Sequence, residues 1–135
     1  MKSRTLFVIN TVIAVPFGIG SVLAPKTFLS LYGASLEPAG ALMMQFGGTW
    51  LIGIGLLTWL VRDATEVKIR RQIMVALLMM YIIGFVVALL GQLSAALNAL
   101  GWLVVGINAF LVLGYATTLF SQPEAAEARP LAQRG

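Results

Sequence analysis

Residues 40–61 read GALMMQFGGTWLIGIGLLTWLV, a run of 22 residues without an ionisable side chain. An α-helix of this length rises about 33 Å, which is enough to cross a hydrocarbon layer about 30 Å thick. Each glycine would weaken a water-exposed helix by roughly 0.5–1 kcal/mol, but in a membrane small residues let a neighbouring helix approach closely. The stretch therefore predicts a membrane protein with several spans.

The composition of the whole chain agrees with this prediction. Of its 135 residues, 59% are hydrophobic and 10% are charged, against about 45–50% and 25% in soluble domains. The net charge is +4, and because the basic residues flank apolar segments we expect membrane lipids with anionic headgroups, not nucleic acid, as their partners. The chain has no cysteine or histidine, which excludes disulfides, thiol chemistry and imidazole ligands, so we expect no metal and no cofactor.

Four apolar runs are long enough to cross a membrane. We predict an all-α membrane protein whose four transmembrane helices form an antiparallel bundle over residues 1–120, with spans at about 5–24, 39–61, 72–92 and 98–120. We expect the first run to be a retained helix and not a signal peptide, because it is longer than a typical signal-peptide core. The small, polar and proline-containing residues 121–135 predict a disordered cytoplasmic tail.

The connections between the spans carry their own signals. Residues 25–38, PKTFLSLYGASLEP, are too apolar for an aqueous loop and predict a short interfacial helix that ends near Gly33. Asp63 and Glu66 have capping-box spacing, so we expect the third helix to begin in water just after Asp63. Asn98 is expected to cap the fourth helix.

The basic residues are distributed unequally across the predicted topology. One side has a single basic residue, Lys26. The other side has eight, which are Lys2, Arg4, Arg62, Lys68, Arg70, Arg71, Arg129 and Arg134. Since basic residues accumulate on the cytoplasmic side, we predict that both termini are cytoplasmic and that the membrane is a bacterial inner membrane.

The predicted spans contain neutral polar groups and no charge. Without a buried carboxylate or a paired nucleophile and base, we expect no proton relay and no catalytic residue. The polar groups have two interpretations. One is interhelical hydrogen bonding, in which Asn10 lies at the depth of Tyr115, Thr117 and Thr118. The other is a ligand cavity for a lipid, quinone or sterol, with the candidate residues Gln45, Thr49, Trp50, Tyr81, Asn108 and Tyr115.

Glycines recur along the spans and predict close contacts between helices. The predicted helix-packing positions are Gly47, Gly48, Gly55, Gly84, Gly91 and Gly101. With the missing reactive groups, they favour a non-catalytic membrane subunit or scaffold, with a membrane-protein partner or a second copy. The alternatives are a binder or carrier of a hydrophobic small molecule, a channel or transporter with a helix broken at Pro16, and an enzyme whose chemistry a bound cofactor or partner carries.

Two short motifs resemble a known group of membrane proteins. Phe46–Trp50, FGGTW, followed by a glycine-spaced apolar run and a basic turn, resembles small four-helix proteins that include the DoxX-like proteins and the ergosterol-biosynthesis scaffold protein. Residues 24–33, with the pattern AP…F…LYG, resemble their first connection. The resemblance covers about residues 5–120 and implies a scaffold that holds membrane enzymes together, sometimes next to quinone or sterol chemistry. Several relatives have an arginine before the Phe-Gly pair, where this chain has Met44 and Gln45, and no catalytic residue is implied.

Overall fold

The computed structural model describes residues 2–35 and 37–121, and in this part of the chain all regular structure is helical. The helices are α1 (Ser3–Leu23), α2 (Pro25–Ser30), α3 (Pro38–Val61), α4 (Val67–Leu93) and α5 (Gly101–Phe120). Four of them, α1, α3, α4 and α5, are long and apolar enough to cross a membrane. The predicted fold class, four membrane-spanning helices with a short helix after the first, is confirmed.

The helix boundaries differ most from the prediction around α4 and α5. α4 begins at Val67, three residues after the predicted helix start near Ala64, and it includes the basic segment before the predicted span at residue 72. α5 begins at Gly101 and not at residue 98. Of the predicted tail, residues 122–135 lie outside the described part of the chain.

The first connection folds into α2 and a turn that ends on glycine. Pro25 lies in the first turn of α2, where its missing N–H would have no partner in the helix anyway. Gly33 has a φ of +75°, which glycine adopts without strain, and the Ala34 N–H donates back to the Leu29 carbonyl at 3.4 Å. Burial in this turn raises the pKa of the Tyr32 hydroxyl above its usual value.

α1 and α3 form an antiparallel pair whose backbones touch. A Cβ atom on Gly18 would lie 2.7 Å from the Gly48 carbonyl oxygen, and one on Gly48 would lie 2.8 Å from the Gly18 carbonyl oxygen. Further along the same seam Gly55 lies against Val15. Only glycine allows backbones to approach this closely. α1 also continues unbroken through Pro16, so the helix interruption suggested for a transport pathway is not found in α1.

α4 and α5 form the second antiparallel pair. Gly84 leaves room for the Asn108 side chain, because a Cβ atom on Gly84 would lie 2.6 Å from Asn108 Oδ1. One turn from Gly84, the Tyr81 ring stacks on the Tyr115 ring, with 5.9 Å between the ring centroids and 10° between their planes. An amide and two aromatic rings thus fill the interface that the glycine opens.

The remaining predicted packing glycines lie elsewhere. Gly101 lies against the side chains of Gln92 and Leu97, which belong to the end of α4 and the turn that precedes α5. Gly47 and Gly91 have no atom within 4 Å of the place where a Cβ would be. A glycine in a span is therefore a packing position only if it also lies on the helix face that meets a neighbour.

The two helix pairs share one hydrophobic core near the start of α1. It is formed by buried residues of α1, α4 and α5, namely Leu6, Phe7, Met74, Leu77, Tyr81, Leu111 and Tyr115. Ile54 and Val61 of α3 pack against this core from the other pair. The described helices therefore form one bundle and not two separate hairpins.

Asn98 fastens the opposite end of the bundle and does not cap α5 as predicted. Its backbone N–H donates to the Tyr32 carbonyl at 2.8 Å, and its Nδ2 donates to the Leu31 carbonyl at 2.9 Å. Its Oδ1 accepts from the Leu100 N–H at 2.9 Å inside the turn, and the N-cap position of α5 is Leu100. The prediction of the cap is wrong because the turn continues for two more residues before the helix begins.

The charged turn between α3 and α4 is held by ion pairs. Asp63 pairs with Arg4 Nε at 2.6 Å and with Arg62 Nε at 3.2 Å. Glu66 is the N-cap residue of α4, but its side chain makes no capping hydrogen bond. The capping-box prediction is wrong because two arginines engage the Asp63 carboxylate instead. The pair with Arg4 places the start of α1 beside the end of α3, although exposed pairs of this kind contribute little stability.

Candidate functional site

The six candidate ligand residues do not line one cavity. Thr49 and Trp50 lie on the side of α3 that faces away from α1, and the Trp50 side chain is 73% exposed. Gln45 is turned towards α1, where its Nε2 donates to the Val22 carbonyl at 2.9 Å. The reason is helix geometry, because residues one and two positions after Gly48 point away from the face that meets α1.

A cavity of about 140 Å³ lies between the two helix pairs. All four long helices contribute to its wall, which consists of Ile13, Ala14, Phe17, Leu51, Tyr81, Val104, Ile107, Asn108 and Leu111. Tyr81 and Asn108 are the two candidate residues that the structure brings together here. The remaining wall residues were not predicted, because nothing in the sequence distinguishes an apolar residue beside a cavity from one that faces lipid.

Asn10 is the centre of a buried hydrogen-bond network between the helix pairs. The Tyr81 hydroxyl donates to Asn10 Oδ1, and Asn10 Nδ2 donates to Thr58 Oγ1 at 3.4 Å. Asn10 and Thr58 are completely buried. The network thus joins α1 to α3 on one side and to α4 on the other. The depth of Asn10 in the membrane had predicted partners on α5 instead.

Two threonines extend this network along the α1–α3 seam. The Thr11 and Thr58 hydroxyl oxygens are 2.9 Å apart, and each also lies 3.0 Å from the Gly55 carbonyl oxygen. Sequence reasoning missed both threonines. The sequence does contain a signal for Thr58, because it lies one turn after Gly55. A residue at that spacing shares the helix face of the glycine, so its hydroxyl lies in the α1–α3 interface.

Tyr115 lies in the core beside this network. Its side chain is completely buried, and its hydroxyl has no hydrogen-bond partner among the described residues. The ring stacks on Tyr81 and lies 6.3 Å, centroid to centroid, from Phe7. Tyr115 therefore stabilises the bundle through its ring, while its hydroxyl is an unsatisfied buried group.

Removing the two tyrosine hydroxyls is expected to have opposite effects on stability. Tyr81→Phe removes the donor to Asn10 and should lower the free energy of unfolding by about 1 kcal/mol. Tyr115→Phe removes a hydroxyl without a partner and should raise that free energy by about 0.5 kcal/mol. Unfolding titrations in mixed detergent micelles measure both values, and an unchanged stability of Tyr81→Phe would show that Tyr81 does not donate to Asn10.

An open cleft of about 380 Å³ runs along the outer side of α3. Its residues are Thr49, Trp50, Gly53, Ile54 and Leu57. Gly53 has no atom within 4 Å of its Cβ position, so the helix backbone is accessible between the Trp50 and Leu57 side chains. The cleft is therefore a lipid-facing groove with a glycine floor and an aromatic wall.

Comparison with protein-family models, curated proteins and solved structures gives no match to this chain. The resemblance to DoxX-like proteins therefore stays a prediction from the sequence motifs. No three acidic, cysteine or histidine side chains in residues 2–35 and 37–121 are grouped to hold a metal ion. The polar groups inside the bundle are amides and hydroxyls, and their chemistry is to donate and accept hydrogen bonds.

Proposed function

We propose that this chain is a non-catalytic integral membrane subunit that binds a transmembrane helix of another membrane protein along the outer side of α3. The observation that carries the proposal is the cleft with Gly53 at its floor and Trp50 on its wall. In hydrocarbon, helices associate through close van der Waals packing, which an accessible glycine backbone permits. A large aromatic side chain that is 73% exposed offers the kind of anchor on which interfaces depend.

The outer side of α4 differs from the cleft and supports the choice of α3. Its exposed residues include Ile83, Val86, Val87 and Leu90, all of them bulky and aliphatic. Such side chains cover the backbone between residues 83 and 90 and suit contact with lipid tails. We therefore assign lipid contact to α4 and partner contact to α3.

The buried polar groups support a structural role in place of a catalytic one. Asn10, Thr58 and Tyr81 bond to one another, so they position the helices and offer little to a substrate. A bundle held together by such bonds, with an accessible groove on α3, suits a protein that holds others in place.

We propose that both termini lie in the cytoplasm of a bacterial cell, with the bundle in its inner membrane. The pair between Arg4 and Asp63 supports a common side for the start of α1 and the charged turn. That side carries most of the basic residues, while Lys26 lies in α2 at the other end. The positive-inside rule then gives the orientation.

Photocrosslinking in native membranes tests the interface. A photoreactive phenylalanine at position 50 is expected to give one discrete crosslinked protein of a different chain, and the same probe at position 87 on α4 is expected to give none. A crosslinked product of twice the chain's own mass would show a second copy on α3. Crosslinks to lipid alone at position 50 would refute the proposed subunit role.

A matched pair of glycine substitutions gives the control. Gly53 and Gly106 are both exposed in the spans and have no atom within 4 Å of their Cβ positions. Gly53→Leu should fill the cleft and lower the yield of the position-50 crosslink at least tenfold, whereas Gly106→Leu should leave the yield unchanged. Equal yields in the two variants would contradict docking in the cleft.

A further inference from the structure

The cavity between the helix pairs is lined by side chains of α1, α3, α4 and α5, is partly open to the outside, and lies near the middle of the spans. Seven of its nine wall residues are apolar, Ala14 and Leu51 among them. Its volume of about 140 Å³ is close to that of an engineered apolar cavity of about 150 Å³ that stays dry and binds benzene. The size and the walls therefore suit a ring-sized apolar group.

The two polar wall residues differ in what they leave free. The Tyr81 hydroxyl donates its hydrogen to Asn10 Oδ1, so only its oxygen is left to accept a hydrogen bond. Asn108 uses its Nδ2 to donate to the Val104 carbonyl at 2.9 Å, within its own helix. Its Oδ1 lies against Gly84 of α4 and accepts no hydrogen bond from the described residues. Asn108 Oδ1 is thus an acceptor without a partner among the described residues, while the Tyr81 oxygen can still accept and Asn108 Nδ2 keeps a second N–H.

We propose that this cavity binds a small apolar molecule, or the ring-shaped end of a larger one, whose single hydroxyl group donates a hydrogen bond to Asn108 Oδ1. Such a molecule is soluble in the bilayer, so it reaches the cavity from the hydrocarbon and not from water. An apolar molecule without a hydroxyl fills the same space but leaves the Asn108 oxygen unpaired. The cavity is separate from the cleft on the outer side of α3, and this site does not depend on a partner protein.

The geometry also explains why the cavity is not filled by its own side chains. Asn108 folds back on Val104 and so occupies less of the space than an extended side chain would. On the opposite wall Ala14, which is buried, contributes only a methyl group. The small side chain of Ala14 on α1 and a folded amide on α5 leave the volume open at a place where bundles are otherwise close-packed.

The probes for this site are 4-fluorophenol and fluorobenzene, which are matched except for one hydroxyl. The full chain is placed in phosphatidylcholine nanodiscs, and fluorine NMR titrations are corrected for partition into empty nanodiscs. Both probes should bind saturably to the wild-type protein. Asn108→Leu should weaken 4-fluorophenol binding about fivefold, the loss expected for one neutral hydrogen bond, and leave fluorobenzene binding unchanged.

Two further variants control for folding and for location. Val104→Phe fills the cavity and should abolish saturable binding of both probes, while Thr117→Val removes an exposed hydroxyl of α5 outside the cavity and should change neither. The unfolding midpoint of each variant shows that it is folded. Absence of saturable binding to the folded wild-type protein, unchanged 4-fluorophenol affinity in Asn108→Leu, or unchanged binding in a folded Val104→Phe variant would each overturn the proposal.

Discussion

Gly48→Leu is expected to lower the free energy of unfolding by about 3 kcal/mol, while Gly47→Leu, one residue earlier, should change it by less than about 0.5 kcal/mol. Gly48 lies so close to α1 that even a Cβ atom would be 2.8 Å from the Gly18 carbonyl oxygen. Gly47 has no atom within 4 Å of its Cβ position. The two substitutions add the same side chain to the same helix, so their difference measures the helix contact alone.

The large effect at Gly48 follows from what its new side chain would meet. A flexible side chain can rotate away from a clash, but the Gly18 backbone cannot, so α1 and α3 would have to separate. Separation would also stretch the bond from Thr11 to the Gly55 carbonyl. Detergent-induced unfolding, followed by circular dichroism, measures both variants. Equal stability of Gly47→Leu and Gly48→Leu would contradict the close α1–α3 seam.

Phe7→Ala is expected to lower the free energy of unfolding by about 2–3 kcal/mol. In the cores of water-soluble proteins the same truncation costs about 3–5 kcal/mol, and part of this cost is the lost free energy of moving the ring out of water. That part is absent in a membrane, because the unfolded chain there is surrounded by lipid and not by water. The cost of the empty space that the ring would leave is still present in a membrane, because Phe7 is completely buried among core residues of three helices, including Leu111 and Tyr115. Its ring would leave an empty volume that lipid does not fill.

Phe120→Ala is the control for Phe7→Ala. Phe120 is 88% exposed at the end of α5, so its truncation should change the free energy of unfolding by less than about 0.5 kcal/mol. The same unfolding titration measures both variants. A Phe7→Ala loss no larger than that of Phe120→Ala would show that the core is not formed around the start of α1.

The spans could be predicted from the sequence because length and hydropathy alone decide them. Residues 40–61 lie within α3 and share its last residue, and the short helix after α1 follows from the apolar connection. The glycine seam was predicted in part, since Gly48 and Gly55 meet α1 while Gly47 does not. Spacing alone cannot separate these cases, because it does not give the rotation of each helix about its own axis.

The hydrogen-bond partners could not be predicted because they depend on that rotation. Asn10 could be recognised as a buried polar group, but its bonds to Thr58 and Tyr81 require the positions of three helices. Asp63 had the spacing of a helix cap, and the start of α1 brought Arg4 to it instead. Local patterns fix local structure, and contacts between distant residues override them where a stronger partner is present.

The most direct test of the four-span bundle uses single cysteines, since the natural chain has none. Thr65 and Ser94 are both exposed, and they lie in the turns at the two ends of α4. In intact bacterial cells a membrane-impermeant maleimide should label Ser94→Cys at once and label Thr65→Cys only after the membrane is opened. Labelling of both positions from the same side would show that α4 does not cross the bilayer.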